Sequence, residues 1–154
     1  MKHLFTPLFC LLALGAWSQT DILDARTNYG VGQIVTVTGI VTSDGNLGIV
    51  RYLQDETAGI ALYPGGDWAQ NGWVDPHPGD ELTMTAALSE YNGLLEVGPE
   101  DITDVTVLSS GNELPEPQTV SASELNESLE GELVFIESAV FTNGGTVITG
   151  NSTF

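Results

Sequence analysis

Histidine and cysteine, the residue types most common in catalytic and metal sites, are scarce in this chain. The sequence has two histidines and one cysteine, and His3 and Cys10 both lie in an N-terminal segment with the pattern of a removable leader. His77 therefore has no second histidine or cysteine with which to build a zinc site or a catalytic triad. We interpret His77 as a loop residue, and the residues present predict no enzyme activity.

Carboxylates are abundant, and two clusters of them could act as oxygen ligands for a hard cation. Asp55-Glu56 forms one cluster, and Glu100-Asp101 with Asp104 forms the other. Neither cluster has the spacing of an EF-hand or of a calcium-binding nonapeptide repeat. Two interpretations stay open, a solvated acidic surface and a weak Ca²⁺ or Mg²⁺ site, and no other cofactor is predicted.

The N-terminal segment has the three parts of a secretory signal peptide. Met1-Lys2-His3 is a short basic start, residues 4–16 are almost all apolar, and Ala16 and Ser18 are the small residues of a cleavage site. A run of about 13 apolar residues is shorter than the roughly 20 that span a bilayer. We therefore predict that residues 1–18 are removed and that the protein is secreted or displayed at the cell surface, with no membrane partner.

The mature chain is strongly acidic. Removal of the leader leaves Arg26 and Arg51 as the only lysine or arginine residues against 21 aspartates and glutamates. Such a surface repels phosphate backbones and anionic lipid head groups at long range. It also keeps a protein soluble, so acidity alone names no partner.

Strand patterns dominate the mature sequence. Runs rich in β-branched residues, separated by Gly, Asn, Asp and Pro, predict strands at 33–42, 48–54, 59–63, 81–89, 94–97 and 104–108. Strands of this length and spacing are typical of a small antiparallel barrel or sandwich. In the first strand Val35 and Val37 share one face with Gly39, and a glycine at mid-strand allows the sharp bend that a small barrel needs. Arg51 falls on the same phase as Leu53, so either that phase is inverted or the arginine leaves through the mouth of the barrel.

Two segments between the strands differ in character. Residues 64–79, PGGDWAQNGWVDPHPG, combine prolines, glycines and two tryptophans, and they predict a long exposed loop. Ser121 and Glu124 have the spacing of a capping box, and Leu125 and Leu129 are four residues apart. Residues 121–129 therefore predict a short helix of two turns.

The succession TVTGIVTSDG, RYLQDETAGIALY and PGDELTMTAALSEYNGLLEV resembles a known module. It is similar to the OB-fold module of secreted bacterial proteins, especially extracellular nucleases and surface proteins of Bacteroidota. The resemblance extends from about Asp21 to Val107. It implies an all-β fold, a small five-stranded OB-like Greek-key barrel with one short helix, and a domain at 19–118.

The opening strand of this module is written twice. GQIVTVTGIVTSDG, which starts at Gly32, is similar to GELVFIESAVFTNG, which starts at Gly131. Residues 119–154 are accordingly predicted to be a connector helix and the first strand of a truncated second β unit, with further domains of the same polypeptide as partners. The alternative is that the second copy closes the first barrel.

On the resemblance, the ligand would lie across the second and third strands, where OB modules bind oligonucleotides or oligosaccharides. A single-stranded nucleic acid and a glycan are the two expected partners. The candidate residues are aromatic or amide side chains: Tyr52, Gln54, Tyr63, Trp68, Trp73, Tyr91 and Asn92. The alternative for the aromatic residues is that they pack against loops and fix them.

Three functions stay open. The first is a non-catalytic binding or spacer module of a larger exported protein, such as an accessory domain of an extracellular nuclease. The second is a fragment of a secreted metal-dependent nuclease or phosphodiesterase whose catalytic domain lies beyond residue 154. The third is a carbohydrate-binding or adhesion module, favoured by the acidic charge and the aromatic residues.

Overall fold

The computed structural model describes residues 19–139. The regular elements of this part of the chain are one α-helix, eight strands and three 3₁₀ turns. They are α1 (Ile22–Asn28), β1 (Ile34–Val41), a 3₁₀ turn (Gly45–Leu47), β2 (Arg51–Gln54), β3 (Gly59–Leu62), β4 (Glu81–Tyr91), β5 (Leu94–Val97), β6 (Asp104–Ser109), β7 (Gln118–Thr119), two 3₁₀ turns (Ala122–Glu124 and Glu127–Leu129) and β8 (Val134–Phe135). The predicted signal peptide at 1–18 lies outside the described residues.

Five strands close into a barrel. The order is β1-β2-β3-β5-β4, and β4 returns to pair with β1. All of these pairs are antiparallel except β3 with β5, which is parallel. β6 adds a further antiparallel strand to β4. This topology confirms the predicted all-β, OB-like barrel.

β1 shows why this sequence can close the barrel. Val35 and Val37 point into the core and are almost fully buried, while Thr36 and Thr38 hydrogen-bond to threonine hydroxyls of β4 on the outer side. A side chain at Gly39 would place its Cβ 2.5 Å from the carbonyl oxygen of Gln54 in β2. β1 contacts both β2 and β4 near this point because no side chain separates the backbones.

The α-helix was not predicted. α1 buries Ile22 and Ala25 in the core, and its first turn is capped from the β2–β3 connection. The backbone N–H of Ile22 donates to the carboxylate of Asp55 at 2.9 Å, and the N–H of Leu23 donates to the hydroxyl of Thr57 at 3.1 Å. These tertiary partners provide the acceptors that a helix N-terminus requires.

The predicted helix at 121–129 was wrong. The capping box of Ser121 and Glu124 does form, but it closes a single 3₁₀ turn. Asn126 then accepts a hydrogen bond from the N–H of Ser128 and begins a second, separate turn. An asparagine that caps a new turn interrupts the first one, and Leu125 is left 48% exposed.

The segment after β7 packs against the barrel without joining its sheet. Within residues 19–139, β8 pairs in parallel with β7. Arg26 of α1 donates to the carbonyl oxygens of Gly59, Glu127 and Glu130, and the backbone of Gly131 lies directly against that of Gly59. Within the described residues, the barrel is closed by the pairing of β1 with β4. The domain boundary at 118 stays a prediction. The rest of the repeated segment, from residue 140, lies outside the described residues.

The long β3–β4 loop is fixed at two points. Trp68 is 2% exposed, and its indole Nε1–H donates to the carbonyl oxygen of Ile49 at 2.7 Å. Arg51 keeps the inward phase of β2, is itself buried, and bonds the carbonyl oxygen of Pro76 at 3.0 Å and the carboxylate of Asp75 at 2.5 Å. The buried arginine therefore ties the loop to β2. No helix within residues 19–139 is long and apolar enough to cross a membrane.

Candidate binding cleft on the outer face of the barrel

Strand alternation gives β2, β3 and β5 a common outer face. Their inward residues, such as Leu53, Ile60 and Val97, belong to the buried core. On the other side Tyr52 lies opposite Ala61, and Ala61 is paired with Glu96. Ala61 is 1% exposed, so this part of the outer face is covered, and the open part of the face lies towards its ends.

A cleft opens at one end of this face. The outer cleft has a volume of about 320 Å³ and is lined by Ile49, Val50, Tyr63, Tyr91 and Glu96. These residues come from the end of the β1–β2 loop, the end of β3, the end of β4 and the middle of β5. The backbone N–H of Tyr63 donates to the carbonyl oxygen of Val97 in β5 at 3.0 Å, and this bond holds the end of β3 against β5. The carbonyl oxygen of Ile49, which lines the cleft, accepts a hydrogen bond from the buried indole of Trp68.

Glu96 is the polar group of the outer cleft. The residue as a whole is 4% exposed, and its side chain lines the cleft. No side-chain oxygen within residues 19–139 is both enclosed and without a partner, so the Glu96 carboxylate, which has no hydrogen-bond donor there, keeps contact with water through the cleft. Burial raises the pKa of Glu96, because partial removal from water disfavours the charged form. The cleft is the side from which a ligand could reach it.

A second pocket of similar size lies beside the outer cleft. The Tyr52 pocket has a volume of about 330 Å³ and is lined by Thr42, Ser43, Leu47, Tyr52, Leu94 and residues 130–133. The two cavities have no lining residue in common, but Leu94 of this pocket is the directly paired neighbour of Tyr91, which lines the outer cleft. This strand pair brings one lining residue of each cavity to the same end of the sheet.

The structure brings three of the predicted ligand residues to this face. Tyr63 and Tyr91 line the outer cleft, and Tyr52 lines the pocket beside it. Tyr91 is 68% exposed at the end of β4. These three tyrosines remain predicted ligand contacts, and their position on one outer face is the arrangement that the prediction needs.

The other predicted ligand residues have structural partners. Trp68 as an exposed stacking surface was wrong, because the ring is buried in the core. Trp73 is half-buried and packs against that core, and the Oε1 atom of Gln54 accepts the N–H of Leu133 at 2.9 Å. Asn92 has a φ of 52° in the tight turn between β4 and β5, a conformation that asparagine tolerates. It therefore shapes the turn next to the cleft.

Glu96 was missed as a site residue because it is one carboxylate among many in the sequence. A signal was nevertheless present in the run Leu94-Leu95-Glu96-Val97. A strand with one solvated face alternates apolar and polar residues, whereas this strand has an apolar residue on both phases. That pattern indicates that both faces are covered, so the glutamate on the outer phase is covered as well.

The carboxylate of Asp55, from the first predicted acidic cluster, is already occupied by hydrogen bonds of the fold. The carboxylate of Asp55 receives the backbone N–H groups of Ile22, Thr57 and Ala58 and the hydroxyl of Thr57. Burial alone would raise the pKa of Asp55, but these hydrogen bonds outweigh it and the pKa is lowered. Across residues 19–139 no group of three or more His, Cys, Asp or Glu residues could hold a metal ion. Weak Ca²⁺ or Mg²⁺ binding therefore stays a prediction.

The strand order and the cleft define an OB-like barrel with a candidate binding face. No protein family and no curated protein matches this chain. It is similar to the solved structure of the hypothetical protein ygiW from E. coli, with 17% sequence identity and a TM-score of 0.45 over 59% of this chain and 90% of that one.

It is also similar to OBody AM1L10 bound to hen egg-white lysozyme, with 17% identity and a TM-score of 0.39 over 52% of this chain and 82% of that one. Likenesses of this size carry no argument about function. The OB-like class rests on the strand pairing itself.

Proposed function

We propose that this chain is a non-catalytic binding module of an exported protein and that it binds an oligosaccharide on the outer face of β2, β3 and β5. The observation that carries the proposal is the outer cleft, which combines two tyrosines, two aliphatic residues and one carboxylate without a donor. Tyrosine rings pack against the apolar faces of sugar rings, and a carboxylate accepts hydrogen bonds from their hydroxyl groups.

The position of the cleft also supports the proposal, by analogy of fold. OB-folds bind oligonucleotides and oligosaccharides on the face of strands 2 and 3, between the 1–2 and 4–5 loops. Ile49 lies in the β1–β2 loop, and Tyr91 lies at the β4–β5 turn. The Tyr52 pocket extends the same face and gives an oligomer room for a second residue.

Charge favours a glycan over a nucleic acid. Arg26 is bonded to three carbonyl oxygens of the protein, and Arg51 is buried and bonded to Asp75. Neither guanidinium is available to neutralise phosphates, so a single strand would have to be held by stacking alone. We expect a labelled single strand to bind weakly, with a slope of log affinity against log salt shallower than roughly −0.7, which corresponds to one phosphate contact.

Isothermal titration with a panel of neutral and charged oligosaccharides tests this function directly. Tyr91→Ala should weaken binding by about 1 kcal/mol, which is roughly fivefold in affinity, because an exposed ring of the cleft is lost. Leu108→Ala is the matched control, since Leu108 is 54% exposed on β6 and does not line the cleft. Tight binding of single strands in place of glycans, with a steep salt slope, would overturn the proposal.

Export and the wider protein are parts of the same proposal. The mature N-terminus should lie at or near Gln19, which mass spectrometry of secreted material can determine. A retained Met1 would contradict the extracellular assignment. The role of an accessory domain to a nuclease rests on the sequence resemblance, and the gene sequence downstream of residue 154 decides between that role and the nuclease-fragment alternative.

A further inference from the structure

The position of Glu96 raises a question that oligosaccharide binding alone does not answer. Glu96 as a residue is 4% exposed, and its side chain lines a cleft of about 320 Å³ without a hydrogen bond from the described residues. Sugar hydroxyls are neutral donors, and a neutral acceptor such as glutamine could serve them without partial desolvation of a charge. A charge that is partly shielded from water is matched best by a ligand that brings the opposite charge.

An ammonium group has three advantages in this cleft. It forms a charge-assisted hydrogen bond with a carboxylate, and such bonds are about twice as strong as neutral ones. Tyr63 and Tyr91 line the same cleft, and aromatic rings attract a cation that lies over their faces. The surrounding protein is strongly acidic, so its field raises the local concentration of cations.

The size and the composition of the cleft select among cationic ligands. A hard metal ion needs six or more oxygen ligands, and Glu96 is the single carboxylate that lines the cleft. A lysine side chain is thin and would leave most of the volume unfilled. A sugar ring packs on Ile49 and Val50, and the Tyr52 pocket next to it has room for the adjoining sugar.

We infer that the outer cleft selects a hexosamine that carries a free amino group, with the ammonium on the Glu96 carboxylate and the sugar ring between Tyr63, Tyr91 and Val50. This inference rests on the proposed function, because it names the class of sugar that the oligosaccharide site recognises. It assigns Glu96 the role of a specificity-determining residue, and it predicts that acetylation of the amino group removes the preference.

The test compares the tetramers of glucosamine and of N-acetylglucosamine by isothermal titration. A pH of about 6 favours the protonated amine, by analogy with the peptide α-amino group, whose pKa is about 7.7–8.0. We expect the glucosamine tetramer to bind the wild-type protein at least about tenfold more tightly than the acetylated tetramer, which corresponds to 1.4 kcal/mol. Glu96→Gln should remove that difference.

Two further variants make the comparison specific. Glu90→Gln removes the same charge from an exposed position of β4 and should keep the preference. Tyr91→Leu removes an exposed ring of the cleft and should weaken both tetramers, the glucosamine tetramer more strongly, because the ring also attracts the ammonium. Thermal melting of each variant confirms that the barrel is folded before binding is measured.

The other possible results contradict different parts of the proposal. If neither tetramer binds the wild-type protein, oligosaccharide binding itself is wrong. If both bind equally, or if Glu96→Gln keeps the preference, the site binds sugars but the ammonium inference is wrong. Should a tetralysine peptide compete as well as the glucosamine tetramer, and lose this ability in Glu96→Gln, the cationic occupant is a peptide and the assignment to a sugar is overturned.

Discussion

Asp55 and Glu96 are carboxylates of the same barrel in opposite surroundings. Asp55, in the β2–β3 turn, accepts hydrogen bonds of 2.6–2.9 Å from Ile22, Thr57 and Ala58, and its pKa is lowered. Glu96, on the outer face of β5, lines the cleft and has no donor among the described residues, and its pKa is raised by burial. The fold supplies hydrogen-bond donors to the Asp55 carboxylate, whereas the Glu96 carboxylate faces the cleft without one.

The difference separates a structural carboxylate from a candidate binding carboxylate. A saturated acceptor at a helix N-terminus stabilises the fold when it is charged. A buried acceptor without a donor destabilises the fold in its charged form and gains most from a ligand that supplies the missing donor. The surroundings of a carboxylate, and not its residue type, therefore indicate what it does in this protein.

Asp55→Asn should give the largest effect on stability. The substitution removes the charge that accepts four hydrogen bonds and caps α1, and we expect a loss of about 2–3 kcal/mol in the free energy of unfolding at pH 7. Urea denaturation followed by tryptophan fluorescence measures this loss. Glu56→Gln, at the exposed neighbouring position, should change stability by less than about 0.5 kcal/mol.

The difference in stability between the wild-type protein and Asp55→Asn should depend on pH. The pKa of Asp55 is lower in the folded state than its ordinary value of 3.8. Its stabilisation is therefore complete well above pH 3.8 and is lost as the pH falls through the folded pKa. The gap between the wild-type protein and Asp55→Asn should close in acid. A gap that widens in acid would show that Asp55 is not held as a charged cap.

The sequence predicted the barrel well because its signals are local. Strands β1 to β6 follow from β-branched alternation and from glycine, asparagine and proline between them. α1 was missed because its caps, Asp55 and Thr57, lie more than thirty residues away in the sequence. The helix at 121–129 was wrongly predicted because a capping box specifies a turn, and Asn126 starts a new turn before a helix can continue.

The site was only partly predictable. Strand phase places Tyr52 and Tyr63 on the outer side, and both do lie there. The local sequence does not show whether a loop tryptophan is exposed, since Trp68 is buried by packing in the core and by its hydrogen bond to Ile49, nineteen residues away. Nor does local sequence show that Glu96 has no donor, because hydrogen-bond partners are a property of the folded chain.

Trp68→Phe should disturb one wall of the outer cleft and leave the hydrogen bonds of Asp55 unchanged. The substitution removes the indole donor and leaves the carbonyl oxygen of Ile49 without this partner. We expect a loss of about 2 kcal/mol in stability and weaker binding of the glucosamine tetramer, because Ile49 lines the cleft. Trp73→Phe keeps an aromatic ring in the same loop and serves as the control. Equal loss in both variants would show that the indole bond does not hold the cleft.

Truncation after residue 118 should have a smaller effect. It removes two carbonyl acceptors of Arg26 and the partner of Gln54, so we expect a loss of about 1–2 kcal/mol. The barrel should stay folded because β1 and β4 close it. The Tyr52 pocket loses residues 130–133, whereas the outer cleft keeps all of its lining, so binding of a single glucosamine should persist. If the shortened chain unfolds, the predicted domain boundary is wrong.

The stability of Glu96→Gln, measured by urea denaturation between pH 4 and 7, tests most directly whether the fold leaves this carboxylate without a partner. The folded pKa is raised above the ordinary 4.5, so the stability linked to the protonated form is present below pH 4.5 and is lost as the pH rises through the folded pKa. At pH 7 we expect Glu96→Gln to be as stable as the wild-type protein or more stable, by up to about 1 kcal/mol, with the difference shrinking in acid and Glu90→Gln unchanged. A Glu96→Gln protein less stable than the wild type at pH 7 by more than about 1 kcal/mol would show that the fold itself uses the charge, and would contradict the account.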